Sequence, residues 1–507
     1  MLVDGKWHLS FWAKSEGINP KINVRFLRFG APAFFEKEIA LTPNWQEYDY
    51  EFEAKDDGPI GMVLFALKLE GAAVVYFDDF FLGQSQSELF RKDFLEVMQR
   101  LKPSYIRDHQ GQLTDTLKNR LAGEYARRCC SVAGLNEEQF YFPYSIPDLL
   151  ELCRLTNSDP WIVVPVTFTE DEARELGDYL GREALGFKEV ILEFGNENWN
   201  LLFRQAGIPN PELCAKLANE TFLAIEKGNE GRVKLVKTLG SQEVYPYVAH
   251  QMLENAPILD AIGSAAYYFS EMNKEMTSEE VTKAIFSPED TGLLKIKEDA
   301  DKHEKRLVIY EFNMHTTQGT ATGEERNPWI AGAISATSFA KQSLLTMQLK
   351  SKPAIVFQLA QMATSMGLPS GYISLWGIVR DLWPTKRLRP TGLAMSLINS
   401  VVKPNSHNIL SEDQKIEALA FSSERTWSFV VLSMSDEPTQ LELNLPKEKF
   451  NAEIRQRQVV AKSLFDTNED NELVKIEETK FEINDDKIIF ELPPYGLTTL
   501  EIDKESL

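Results

Sequence analysis

The sequence predicts a parallel α/β barrel flanked on both sides by regions built only of strands. Three observations carry that prediction. Seven short apolar runs of strand length fall at 103–107, 161–166, 189–194, 233–239, 260–266, 306–310 and 353–359. Amphipathic stretches of helix length separate them, the alternation of a parallel sheet covered by helices. Before residue 85 and after residue 402 the apolar residues recur instead with a period of two, the signature of half-buried strands.

The flanks set the domain limits at 1–84, 85–402 and 403–507, because 507 residues exceed what one core holds. In the first region Trp7, Leu9 and Phe11 alternate with His8 and Ser10, and Ile22, Val24 and Phe26 repeat the pattern. Within the central region Ser145-Ile-Pro-Asp148 and Thr169-Glu-Asp-Glu172 place a hydroxyl three residues before an acid, marking two helix starts. The longest helical stretch is expected over 327–349 and the last barrel helix over 390–401. In the third region Ile416, Leu419 and Phe421, then Trp427-Ser-Phe-Val-Val-Leu432, begin a β-sandwich whose expected role is structural.

Composition removes several function classes. A formal charge of -22 disfavours nucleic acid and anionic membrane surfaces, because phosphate binding needs clustered Lys and Arg. No run approaches the ~20 apolar residues of a membrane span. Of four cysteines, Cys129 and Cys130 are adjacent while Cys153 and Cys214 sit in helical patterns as small apolar groups, so no disulfide framework is expected. Neither C-x-x-C nor H-E-x-x-H occurs, and no metal or cofactor is expected.

Two strand ends carry the candidate chemistry. Glu189-Val-Ile-Leu-Glu-Phe-Gly-Asn-Glu-Asn-Trp-Asn200 breaks from an apolar run into Asn196, Glu197 and Trp199. In a barrel of parallel strands the carboxyl ends form the catalytic face. An amide, a carboxyl and a flat ring suit a sugar, although G-N-E is equally a polar turn after a buried strand. Arg306-Leu-Val-Ile-Tyr-Glu-Phe-Asn313 ends in Glu311, with Asn313 two residues on. A carboxylate at a buried strand end costs free energy unless it is paired. Two glutamates roughly 5–5.5 Å apart allow one to attack an anomeric carbon while the other protonates the departing oxygen.

These two segments resemble the catalytic signatures of the retaining-glycosidase clan built on (β/α)8 barrels of the TIM type. Similarity is greatest to the α-L-arabinofuranosidases of glycoside hydrolase family 51. Leu89-Phe-Arg-Lys-Asp-Phe with Leu101-Lys-Pro-Ser-Tyr-Ile-Arg107, Asp148-Leu-Leu-Glu-Leu-Cys leading to Trp161-Ile-Val-Val-Pro-Val166, and Arg389-Pro-Thr-Gly-Leu-Ala-Met395 add to it. The resemblance implies that Glu197 follows strand four as general acid/base and Glu311 follows strand seven as nucleophile. It numbers the run at 103–107 as strand two, so a chain lacking barrel strand one is expected, with an intact seven-stranded barrel as the rival. Val74-Val-Tyr-Phe-Asp-Asp-Phe-Phe-Leu82 resembles the closing strand of a carbohydrate-binding jelly roll, a module this family inserts after its first barrel strand. The N-terminal sandwich is therefore expected to be an incomplete one.

The same resemblance assigns Asn196 to a sugar 2-hydroxyl, against the alternative of an amide bonding its own turn. Arg107 either holds the nucleophile ionised or makes a structural ion pair. Tyr267 and Tyr268 match a His-Tyr-Tyr whose histidine is Ala266 here. Trp199 and Trp376 are candidate stacking platforms or core tryptophans. Phe312 stands where the family has tryptophan, and Arg107-Asp-His-Gln-Gly-Gln112 replaces an Arg-Phe-Pro-Gly-Gly-like loop. There His109 and Gln110 are candidate hydrogen-bond partners, or Gly111 makes a turn. The expected partner is an oligo- or polysaccharide: an α-L-arabinofuranoside first, a β-xyloside or β-glucan next. A non-catalytic carbohydrate-binding protein on a glycosidase scaffold is the alternative from another class.

Overall fold

In the computed structural model all residues are described except 1–2, 18–19, 29, 57–62, 85–88, 110–114, 124–129, 132–139, 142–144, 202–206, 288–290, 362, 366, 483–486 and 506–507. The chain divides into two units, Met1–Lys92 with Ala122–Arg127, and Asp93–Leu121 with Arg128–Leu507.

The first unit holds β1 (Gly5–Gly17), β2 (Lys21–Arg28), β3 (Ala33–Ala40), β4 (Gln46–Ala54), β5 (Val63–Glu70) and β6 (Ala73–Gln84). They form two antiparallel three-stranded sheets, ordered β4-β1-β6 and β3-β2-β5. The period of two puts Leu9, Phe11 and Ala13 of β1 into one core with Ile22 and Val24 of β2, while intervening polar residues face out. Phe11 stacks on Tyr48 at 5.3 Å, and a buried Arg28–Asp56 ion pair anchors the end of β2.

In the second unit β7 (Tyr105–Asp108) is followed by a small hairpin of β8 (Cys130–Ser131) and β9 (Phe140–Tyr141). The main sheet continues with β10 (Asp159–Val164), β11 (Val190–Phe194), β12 (Leu235–Gly240), β13 (Ala261–Ala265), β14 (Arg306–Phe312) and β15 (Ala354–Val356). Seven strands, β7 and β10 to β15, run parallel in chain order. The seven expected runs are all present, shifted by no more than a few residues. Cα atoms of the edge strands β7 and β15 approach within 8 Å, so the sheet nearly closes into a TIM-type barrel.

Strand parity sorts the side chains. Leu192 and Phe194 point outward to the helices, with Leu176, Leu180 and Phe222, whereas Trp161, Ile191, Val236, Val308 and Tyr310 fill the interior. The capping boxes at Ser145/Asp148 and Thr169/Glu172 are formed. The helix expected over 327–349 is broken into Gly323–Ala331 and Ile334–Gln348. The cause is a later segment. Ala333 and Ile334 give their backbone N–H groups to Asp466 and Leu464 carbonyls instead of to the preceding turn. The last barrel helix, Pro390–Val401, is as expected.

The C-terminal strands are β16 (Asn405–Asn408), β17 (Ile416–Ser422), β18 (Thr426–Ser433), β19 (Thr439–Asn444), β20 (Phe450–Val460), β21 (Lys475–Glu482), β22 (Lys487–Leu492) and β23 (Leu497–Lys504). A six-stranded sheet, β16-β17-β18-β23-β20-β21, packs on the β19-β22 pair around Ile416, Trp427, Phe429, Ile454 and Phe490. Its other face gives Leu419, Phe421, Val430 and Leu432 to the barrel's own core. Burial on both faces explains why this sandwich and the barrel form one unit.

Candidate active site

The site is built where β11 and β14 end. Gly195 takes a φ of +63°, and a Cβ there would lie 2.2 Å from Asn198 Oδ1, so only glycine fits the turn. Asn198 pins the turn by donating to the Phe194 carbonyl at 2.9 Å. Glu197 follows at a φ of 45°, a sparsely populated region for a residue with a side chain. Its carbonyl accepts from Asn200 N at 2.7 Å, and Asn200 Nδ2 donates to its Oε2 at 3.1 Å.

On β14 parity alone would turn Glu311 away from the interior, because Val308 and Tyr310 already point in. An irregularity resolves this. Ile309 pairs with Ser264 but Glu311 with the next residue, Ala265, so β14 carries one extra residue and the bulge re-aims its end. Glu311 thereby reaches the barrel mouth. It is 5% exposed. Its Oε1 accepts from Arg107 Nη1 at 2.8 Å, with His109 Nε2 at 3.6 Å. Its Oε2 accepts from the Tyr267 hydroxyl at 2.8 Å. Burial pushes this carboxyl up, but the charge of Arg107, then His109 and the Tyr267 hydroxyl, hold it below the usual carboxylate value.

Arg107 is shared. Its Nε and Nη2 donate to Glu193 Oε2 and Oε1 at 2.8 and 3.0 Å, and Nη2 also reaches Asn196 Oδ1 at 2.9 Å. One guanidinium therefore links the ends of β7, β11 and β14. Tyr267 and Tyr310 are pushed well above the usual phenol value by burial first, and the charges of both Glu311 and Glu197 add to it. Both glutamates thus act on the same two phenols. A wall of rings borders them: Tyr267 lies 4.9 Å from His315, His315 5.5 Å from Trp376, and Phe357 5.6 Å from Trp376. Burial lowers the pKa of His315, favouring the neutral imidazole.

No protein-family model matches the sequence, and no curated protein does. Solved structures match it closely in shape. The α-L-arabinofuranosidase of Thermotoga maritima, in its arabinose complex, is similar at a TM-score of 0.61 and 15% identity, over 82% of this chain and 90% of that one. A family 51 α-L-arabinofuranosidase of Bifidobacterium longum gives 0.60 and 16%, over 82% and 90%. An arabinose-bound family 51 enzyme gives 0.67 and 10%, over 99% of this chain and 83% of that one. This chain shares the arabinofuranosidase fold.

On that fold, the structure brings together Arg107, Asn196, Tyr267 and Glu311 by direct hydrogen bonds, with Glu197 beside them. Asn196 is 1% exposed, and its Nδ2 lies 3.4 Å from His109 Nε2. Trp376 belongs to the ring wall. Three other candidates sit differently. Tyr268 is buried among Phe269, Met272 and Trp329. Asn313 gives Nδ2 to the Phe357 and Trp376 carbonyls at 2.6 and 2.8 Å and so holds the wall in place. Trp199 is partly buried, with no acceptor for its indole N–H among the described residues. Gln110 and Gly111 lie outside the described residues.

Glu193, Trp161, His315 and Phe357 were missed by the sequence reading. Parity contained the signal for Glu193, since Ile191 and Glu193 share one side of β11. Among the described residues no group of three His, Cys, Asp or Glu side chains could hold a metal ion.

Proposed function

We propose that this protein is a retaining glycoside hydrolase with α-L-arabinofuranosidase-like specificity. The observation that carries the reading is Glu311, buried at a strand end yet kept ionised by Arg107 and Tyr267. In the double displacement Glu311 attacks the anomeric carbon while Glu197 gives its proton to the glycosidic oxygen. Glu197 then takes a proton from the water that releases the sugar. Asn196, whose Oδ1 accepts from Arg107, bonds the sugar 2-hydroxyl in this reading, a contact that strengthens in the transition state.

The charge around the site supports a neutral sugar. Arg107 already serves Glu193, Glu311 and Asn196, so its charge is committed before any anionic group of a substrate arrives. The tyrosine, tryptophan and phenylalanine rings suit the C–H face of a pentose. The test is hydrolysis of a panel of aryl glycosides, with the configuration of the first-formed sugar read by proton NMR. Fastest turnover of the α-L-arabinofuranoside with retained configuration is expected. Binding of arabino-oligosaccharides without turnover would leave only the carbohydrate-binding alternative.

A further inference from the structure

Glu193 is fully buried inside the barrel, yet the double displacement gives it no step. Moving a carboxylate out of water costs several kcal/mol unless it is well paired, and the barrel makes specific provision for this one. A Cβ on Gly240 would lie 3.2 Å from Glu193 Oε1 and 3.3 Å from the Tyr310 ring. One on Gly263 would lie 3.2 Å from the same ring. Glycines on β12 and β13 therefore leave the room that Glu193 and Tyr310 occupy. Trp161 donates its indole N–H to Glu193 Oε2 at 2.8 Å.

The decisive feature is a count of charges. Glu193 and Glu311 are both buried and both accept from the single guanidinium of Arg107, while the His109 imidazole, 3.6 Å from Glu311 Oε1, adds to Glu311 alone. Negative charge on either one raises the proton affinity of the other. The charged and titratable groups facing Glu193 are Arg107 from β7, with Tyr310 and Glu311 from β14; Tyr267, Glu197, His109 and His315 lie beyond them, around Glu311. Trp161 of β10 donates without titrating, and β12 presents Thr238 and Gly240, neither of which titrates.

We propose that Glu193 is a positioning residue that regulates Glu311 through Arg107. When ionised it claims part of the guanidinium and leaves Glu311 the stronger base. When it takes up a proton from solvent it yields Arg107 and keeps Glu311 ionised in acid. The order of protonation agrees with this. Burial and the charge of Glu311 push Glu193 above the usual carboxylate value against the pull of Arg107, while Glu311 is held below it. The inference rests on Glu311 being the nucleophile, but its first test does not need turnover.

That test is carbon-13 NMR of glutamate carboxyls, comparing the native protein with Glu311→Gln. The apparent pKa of Glu193 is expected to fall by about one unit or more when the competing charge is removed. An unchanged or raised value would overturn the proposal. The second test is the kcat of Glu193→Gln against native protein as a function of pH. The variant should be roughly tenfold slower at neutral pH, where a less basic nucleophile attacks more slowly. That deficit should vanish in acid, where native Glu193 is itself protonated. Glu193→Asp, which keeps the charge, should retain the native pH profile. A deficit independent of pH would mean a purely structural role. Absence of any glycoside turnover in the native protein would overturn the hydrolase reading, and the NMR comparison would still decide the coupling.

Discussion

The two ends of the barrel each bury a glutamate, and they treat it in opposite ways. At the amino-terminal end Glu189 is 5% exposed and receives Arg306 at 2.6 Å, Lys234 at 2.8 Å and the Tyr105 hydroxyl at 3.1 Å. One carboxylate has two cations. At the carboxyl-terminal end one guanidinium, Arg107, is shared by Glu193 and Glu311, with the His109 imidazole 3.6 Å from Glu311 and Glu197 close by. Burial and ion pairing are common to both ends, so neither marks a functional group. The balance of charge does. A surplus of cations locks a carboxylate for stability, whereas a deficit leaves one poised to react, on the face where barrels carry their chemistry.

Exchanging each glutamate for its amide tests that contrast, and the largest effect belongs to the carboxyl end. Glu311→Gln should lower kcat on activated aryl arabinofuranosides by about 10⁴-fold or more while leaving the thermal midpoint level or higher. Glu197→Gln should cost about 10²–10⁴-fold, most with poor leaving groups that need protonation. Glu189→Gln should do the reverse, costing about 3 kcal/mol of stability by urea denaturation with kcat within about threefold. An inactive but fully folded Glu189→Gln would break the comparison.

Acid sharpens it further. Burial works against ionisation of Glu189, but Arg306 and Lys234 hold it down to about 2. Its folded value lies below the unfolded one of about 4.3. The stability it contributes is therefore complete above that unfolded value and is lost as pH falls toward 2, by about 3 kcal/mol. Glu189→Gln should flatten that part of the stability curve. The smallest effect expected is that of Tyr267→Phe, which removes one hydrogen bond to a charged oxygen. It should cost about tenfold to a hundredfold in kcat and move the acid limb of kcat/KM upward, because the lost donor favoured the ionised form.

Much of this was legible in the sequence, for identifiable reasons. Most of the barrel strands are largely apolar runs that break sharply into polar residues, so all seven runs, and both Glu197 and Glu311, stood out. Local capping chemistry located the helix starts at Ser145 and Thr169. What stayed hidden depends on partners far along the chain or on one-residue geometry. The near-continuous apolar run of β11 obscured that Glu193 shares the inward side with Ile191. The bulge that turns Glu311 into the mouth has no signature in Tyr-Glu-Phe. Tyr267 and Tyr268 read alike, yet one meets Glu311 and the other the core. The helix break near Gly332 is imposed by carbonyls of Leu464 and Asp466, which no local pattern reveals.

The central claim, that Glu311 forms the covalent bond to the sugar, is tested most directly by trapping that bond. The protein would be incubated with a 2-deoxy-2-fluoro α-L-arabinofuranoside bearing a good leaving group, digested and mapped by mass spectrometry. One fluoro-sugar on the peptide containing Glu311, absent from Glu311→Gln, is the predicted result. Turnover without any adduct, or an adduct on Glu193 or another carboxylate, would contradict it.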